Sequence, residues 1–158
     1  MAFKKFTASD QTLTADPIYR SRLVSKFINS IMQDGKKTVA ERIVYGAMDI
    51  ISQKMKDAPP LEVFEKAINN VKPLIEVRSK RVGGANYQVP MQVSTKRAMS
   101  LSMRWLRDAI RAGKGGTTAT RLASELLAAY KGEGTAMTTR ENVHRMAEAN
   151  KAFAHFAW

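Results

Sequence analysis

Hydrophobic residues recur at helical spacing over most of the chain and predict six α-helices. Apolar positions three or four residues apart mark each helix, and segments rich in glycine or proline separate them. The predicted helices cover residues 17–33, 37–55, 61–72, 95–112, 118–130 and 138–150. A chain of 158 residues with this pattern is expected to form one domain, residues 1–158, with a mainly α fold: a six-helix bundle.

Several helix ends carry capping signals. Asp16, which precedes a proline, predicts the start of the first helix as its N-cap residue. Either Ser94 or Thr95 can cap the fourth helix. Thr138 and Glu141 have the spacing of a capping box and predict the start of the sixth helix.

Residues 74–92 break the helical pattern and predict a β-hairpin that protrudes from the bundle. Gly83-Gly84 supplies the positive φ angles that a two-residue turn requires. The first strand is basic, and the second carries Tyr87, an aromatic that can stack on a base. We interpret the hairpin as a finger that contacts nucleic acid; the alternative is an ordinary surface ribbon. The candidate tip residues are Arg81, Val82, Gly83, Gly84, Ala85 and Tyr87.

The positive charge of the chain is concentrated in one region. Lys and Arg number 26 and Asp and Glu number 14, which gives a net charge of +12. Residues 72–114 hold ten of the bases and only two of the acids, a net +8. This concentration favours an acidic partner, and nucleic acid is the usual one for a small basic protein.

The fourth predicted helix carries a row of arginines on one stripe. The row consists of Arg97, Arg104, Arg107 and Arg111, at spacings of seven, three and four residues. Lys36 and Lys37 follow Gly35 at a helix junction, where they and the backbone amides could share a phosphate. The alternative for the arginine row is a solvated basic face. The alternative for Lys36 and Lys37 is a turn with solvated lysines. Almost no acids interleave the stripe, which favours phosphate binding.

Other classes of function find little support. The two histidines, His144 and His155, make no standard metal motif, and the chain has no cysteine. No nucleophile has an evident base partner, so we expect no enzyme and no cofactor. No apolar run reaches the length of a membrane span.

The two ends of the chain are expected to differ from the bundle. Residues 1–15 are expected to form a flexible arm, and residues 151–158 an aromatic tail that docks on the body or on a neighbour.

Specific stretches of the chain resemble a known family. They are Asp34-Gly35-Lys36-Lys37, Arg81-Val82-Gly83-Gly84, Tyr87-Gln88-Val89-Pro90, Arg104-Trp105-Leu106, Gly134-Thr135-Ala136 and residues 144–155. In this order they are similar to the bacterial-type family of universal ribosomal protein seven of the small subunit. The resemblance spans roughly residues 15–156 and implies the same bundle with a hairpin.

The resemblance also implies a function. Family members bind the 3′ major domain of small-subunit rRNA first and organise assembly of the subunit head. Their hairpin approaches the exit-site tRNA and the mRNA path, and their neighbours include small-subunit proteins nine and eleven. The location implied is the cytoplasmic ribosome, with a plastid or mitochondrial ribosome as the alternative. The positions that match rRNA-binding regions are Lys36, Lys37, Arg78, Lys80, Arg81, Arg97, Arg104, Arg107, Arg111, Lys114, Arg145 and Lys151.

A DNA-binding architectural protein with a basic β-arm is the alternative function. Such proteins usually wedge an apolar residue between base pairs. The tip here is Gly83-Gly84, with no wedge beyond Val82. The residues of the tip therefore count against this alternative.

Overall fold

The computed structural model describes residues 13–157, which contain six α-helices, a two-stranded hairpin and a 3₁₀ helix. Their bounds are α1 Arg22–Ile31, α2 Lys37–Lys54, α3 Pro60–Val71, β1 Ile75–Val82, β2 Ala85–Gln92, α4 Thr95–Ala112, α5 Thr118–Lys131, α6 Thr135–Ala149 and the C-terminal 3₁₀ helix Lys151–Phe156. The expected mainly α fold with one hairpin is confirmed. The predictions for residues 1–12, and for Trp158 of the tail, lie outside the described residues.

Helix α5 lies at the centre of the bundle, against α2, α3 and α4. Its Leu122 and Leu126 are fully buried. Small residues let the neighbours approach closely: Gly46 of α2 faces the Cβ of Ala119, where an added methyl would lie 3.5 Å away. No helix within residues 13–157 is long and apolar enough to cross a membrane.

The predicted start of the first helix is wrong. The Asp16 carboxylate accepts hydrogen bonds from the backbone N–H groups of Tyr19, at 2.8 Å, and Ser21, at 2.9 Å. These bonds close a turn, and Arg20 within it has a φ of +50°, which a helix does not allow. Helix α1 therefore begins only at Arg22. A carboxylate that bonds to nearby backbone stabilises turns as readily as helix starts, so the local signal was ambiguous.

The predicted capping box at Thr138 and Glu141 is also wrong. Helix α6 begins three residues before Thr138, whose hydroxyl donates to a carbonyl one turn earlier. The N-terminus is capped instead from α5: Glu125 Oε1 accepts from the backbone N–H of Ala136 at 2.7 Å. A tertiary contact eleven residues away replaced the local cap.

The hairpin has the predicted turn and a single register. Gly83 and Gly84 have φ angles of +57° and +88°, and Val82 pairs with Ala85 on either side of them. Two positive φ angles are the requirement of a tight hairpin turn. Because side chains alternate along a strand, Arg78 and Lys80 share a face of the hairpin and Arg81 lies on the other.

The hairpin packs against α6 and the C-terminal 3₁₀ helix. At its base, the backbone N–H of Leu74 donates to Nε2 of His144 at 3.1 Å. Farther out, the Tyr87 ring contacts Phe153 and Phe156, with centroids 5.1 and 5.2 Å apart. The aromatic tail thus docks on the chain's own hairpin.

Replacing Glu125 with alanine should destabilise the protein by about 1–2 kcal/mol, because α6 loses the acceptor at its N-terminus. Urea unfolding followed by circular dichroism measures the change. Glu125→Gln is the matched control, since its amide oxygen can still accept from Ala136. Equal stability of the alanine variant and the parent would show that this contact contributes nothing to α6.

Acidification should weaken the attachment of the hairpin through His144. Burial lowers the pKa of this imidazole below 6.5, and the charge of Arg140 lowers it further. The unfolded chain therefore takes up a proton at higher pH than the folded chain, so stability is lost as the pH falls from about 6.5 towards the folded pKa. Protonated Nε2 can no longer accept from Leu74.

Urea unfolding at about pH 7.5 and about pH 5.5, on either side of the histidine titration, measures this loss. His144→Gln keeps an acceptor for Leu74 but does not titrate, so it should lose less stability than the parent between the two values. An equal loss in the two proteins would contradict a role for His144.

Candidate nucleic-acid interface

The carboxylate of Glu76 joins the hairpin to α4. Glu76 is only 8% exposed, near the start of β1. Its Oε1 accepts from Nε of Arg78 at 2.6 Å, and its Oε2 accepts from Nε of Arg97 at 3.1 Å. A buried carboxylate requires such charged partners. One acid therefore holds two predicted RNA-binding arginines side by side and leaves the cluster with a net positive charge.

The arginine stripe extends along one side of α4, whose opposite side supplies buried core residues. Arg104 is exposed and has no ion pair within residues 13–157. Arg107 contacts Asp108 at 2.8 Å, so its charge is partly compensated. Arg111 donates to the carbonyl of Ile31 in the last turn of α1, at 3.3 Å. The end of the stripe therefore lies against the end of α1.

Lys36 and Lys37 are exposed just beyond that end of α1. The turn before them contains Asp34 and Gly35, both with positive φ. Lys37 lies 3.9 Å from Glu41, an exposed pair that contributes little. The structure thus brings the junction lysines next to the end of the α4 stripe. We call the resulting surface the basic band; it comprises Arg78, Arg97, Arg104, Arg107, Arg111, Lys36 and Lys37.

The outer part of the hairpin differs from the expectation of a free finger. Nζ of Lys80 donates to the carbonyl of Phe156 at 2.8 Å. The ring of Tyr87 is half-buried against Phe153 and Phe156, so it has aromatic partners within the chain. Arg81 is exposed beside the two glycines of the turn.

The remaining predicted bases are exposed but lie outside the basic band. Lys114 is in the loop that joins α4 to α5, and Arg145 is on α6. Lys151 begins the C-terminal 3₁₀ helix and lines a cavity of about 540 Å³ between the hairpin and α6, beside Ile75 and His144.

Two residues that shape this surface, Glu76 and Arg121, were not predicted from the sequence. Glu76 is the only acid of the hairpin, a signal that it has a specific partner, but the pattern does not reveal which. Arg121, in the first turn of α5, donates to the carbonyl of Gly113 and to Oγ1 of Thr118 and so holds the α4–α5 loop. A single arginine on an amphipathic helix does not indicate in the sequence that it holds a neighbouring loop.

Comparisons with known proteins identify the family of this chain. The family model described as ribosomal protein S7p/S5e matches residues 3–151. Small ribosomal subunit protein uS7 of Rhodopirellula baltica is 57% identical over 155 residues, which cover 98% of this chain and 99% of that protein. The protein of the same name from Azoarcus sp. strain BH72 is 63% identical over 142 residues, 89% and 90% of the two chains.

The match extends over nearly the whole chain, including the hairpin and α4. It counts against the DNA-binding alternative, because the family is a structural, non-enzymatic component of the ribosome. A third relative, from Kosmotoga olearia, is 56% identical over 96% of this chain and carries the same name. The chain therefore belongs to the ribosomal protein S7p/S5e family, as a protein of the small ribosomal subunit.

Proposed function

We propose that this chain binds small-subunit rRNA through the basic band and contributes no chemistry of its own. The observation that carries the proposal is the Glu76 cluster. It holds Arg78 of the hairpin beside Arg97 of α4 before any partner is present. A surface that is already assembled loses less conformational entropy on binding, so more of its interaction energy appears as affinity.

Contacts to phosphates supply most of the binding energy in this proposal. Arginines form paired hydrogen bonds to phosphate oxygens, whereas lysines act as mobile point charges. The deep, narrow major groove of A-form RNA hides its bases, so recognition depends on the shapes of junctions and loops. A band with bases from the hairpin, α4 and the α1–α2 junction suits a folded RNA with several backbone segments.

The specific partner proposed is the 3′ major domain of the rRNA, whose binding organises assembly of the subunit head. This part of the proposal is supported by the family resemblance. The tip of the hairpin, with Arg81 beside Gly83 and Gly84, would approach the exit-site tRNA and the mRNA path. The exposed glycines make that tip narrow enough to enter a gap between RNA backbones.

Protein neighbours are proposed on the α6 side of the molecule. Arg145 is exposed there, and Lys151 borders the cavity between the hairpin and α6. By resemblance, the neighbours are small-subunit proteins nine and eleven. The bacterial sources of the relatives support a bacterial ribosome as the location.

Changing Arg104 and Arg107 together to alanine should weaken binding to a transcript of the 3′ major domain by roughly tenfold or more, since two phosphate contacts are lost. If about six bases neutralise phosphates, the slope of log K against log salt should be about −4, and about −3 in this variant. Filter binding over a range of salt concentrations measures both quantities.

The matched control changes Lys54 and Lys56, two exposed bases outside the basic band, to alanine. It removes the same charge and should leave the affinity within about twofold, because only long-range attraction is lost. If the two double variants lose equal affinity, or if a folded Arg104/Arg107 variant binds as tightly as the parent, the basic band is not the binding surface.

A further inference from the structure

A groove that the sequence did not predict lies beside the basic band. It consists of a cavity of about 230 Å³ between the α1–α2 junction and helices α4 and α5, and a cavity of about 130 Å³ between α1 and α2 at the junction itself. Both are lined by Ile31, Gln33 and Ile43, so they adjoin one another. We call them together the junction groove.

One end of the junction groove is strongly basic. Arg107, Arg111 and Arg121 line the larger cavity, and no acidic residue of the described chain lines it with them. Arg107 contacts Asp108 on the exposed side of α4, which leaves one acid for three arginines. Like charges gathered in a partly enclosed space repel each other unless an anion lies between them. This end therefore suits a phosphate group.

Arg121 is held rigidly at the wall of the larger cavity. Two of its guanidinium nitrogens bond to the carbonyl of Gly113 and the hydroxyl of Thr118, which fixes the side chain in place. A guanidinium that is already fixed loses little freedom when an anion binds beside it, so Arg121 adds a preformed positive charge to the wall of the cavity.

The rest of the junction groove has an apolar floor and a polar far end. Ile31, Ile43 and Ile110 line the floor, and Asp34 and Lys36 line the far end. The larger cavity lies below the range of about 300–1,000 Å³ for small-molecule sites, so it accepts one small group and not a helix. An apolar floor beside an arginine cluster matches a nucleotide, whose base is flat and apolar on its faces and whose phosphate is anionic.

We infer that the junction groove binds one unpaired nucleotide of the RNA, with its phosphodiester against the three arginines and its base on the isoleucine floor. The inference rests on the proposed rRNA-binding function and assigns a nucleotide site within it. Extruded, unstacked bases are the usual targets of specific RNA recognition. The groove would therefore add selectivity to a band that otherwise contacts phosphates.

The absence of cysteine from the chain allows a direct test. Gln33 is exposed, lines both cavities and makes no side-chain hydrogen bond within the described residues, so Gln33→Cys puts one thiol in the groove without disturbing the fold. The rate of alkylation by N-ethylmaleimide is measured with and without the 3′ major domain transcript. At free RNA about ten times Kd, we expect alkylation to slow about tenfold, in proportion to the unbound fraction.

Controls separate the nucleotide from other causes of protection. Ser52→Cys, an exposed position nine residues beyond Ile43 on α2, should react at the same rate with and without RNA. Inorganic phosphate should leave the Gln33→Cys rate unchanged, because an ion does not cover the isoleucine floor. Full protection by phosphate alone would overturn the nucleotide assignment.

A second variant tests the arginines. Arg121→Gln, added to Gln33→Cys, should restore most of the alkylation rate while the RNA stays bound through the basic band, which does not include Arg121. Arg22→Gln, which changes an exposed arginine of α1, should not restore it. Retention of the RNA on a filter is measured in the same samples. In the single variant Gln33→Cys, retained RNA without protection of the thiol overturns the groove and leaves the proposed function standing. RNA that is not retained overturns both.

Discussion

The interaction on which the candidate interface depends is the pairing of one buried carboxylate, Glu76, with two arginines from different elements. A carboxylate that is 8% exposed is stable only with charged partners, so it fixes both Arg78 and Arg97. The arrangement attaches β1 to the start of α4 and orients the basic sides of both. Because two positive charges meet one negative charge, the attachment is made without cancelling the attraction for an anionic partner.

Other contacts also hold the hairpin in position against the body of the protein. An isolated two-stranded hairpin is marginally stable in water, and this one is held by contacts at several points along its length. Glu76 attaches it to α4, His144 holds its base through Leu74, and Tyr87 packs against the C-terminal 3₁₀ helix. The hairpin is therefore positioned by the body of the protein, although it carries the residues expected to reach the RNA.

The sequence predicted those features that depend on neighbours along the chain. Helical periodicity located the six α-helices of residues 13–157, and Gly83-Gly84 predicted the turn, because glycine adopts successive positive φ angles most easily. Apart from the start of α1, where the local signal of Asp16 was ambiguous, it failed where distant residues decide the outcome. Glu125 caps α6 from another helix, and the basic stripe proved to be linked to the hairpin through Glu76 and to α1 through Arg111. The junction groove depends on four helices and has no linear signature.

The central claim is that the assembled basic surface recognises one folded rRNA domain and is more than a general polyanion binder. The most direct measurement compares the affinity of the protein for the 3′ major domain transcript, for an unrelated folded RNA and for duplex DNA, each at two salt concentrations. The account predicts tighter binding to the 3′ major domain transcript than to the other two nucleic acids. The affinity should fall as the salt concentration rises, and the preference for this transcript should remain at both salt concentrations. Equal affinity for all three would contradict it.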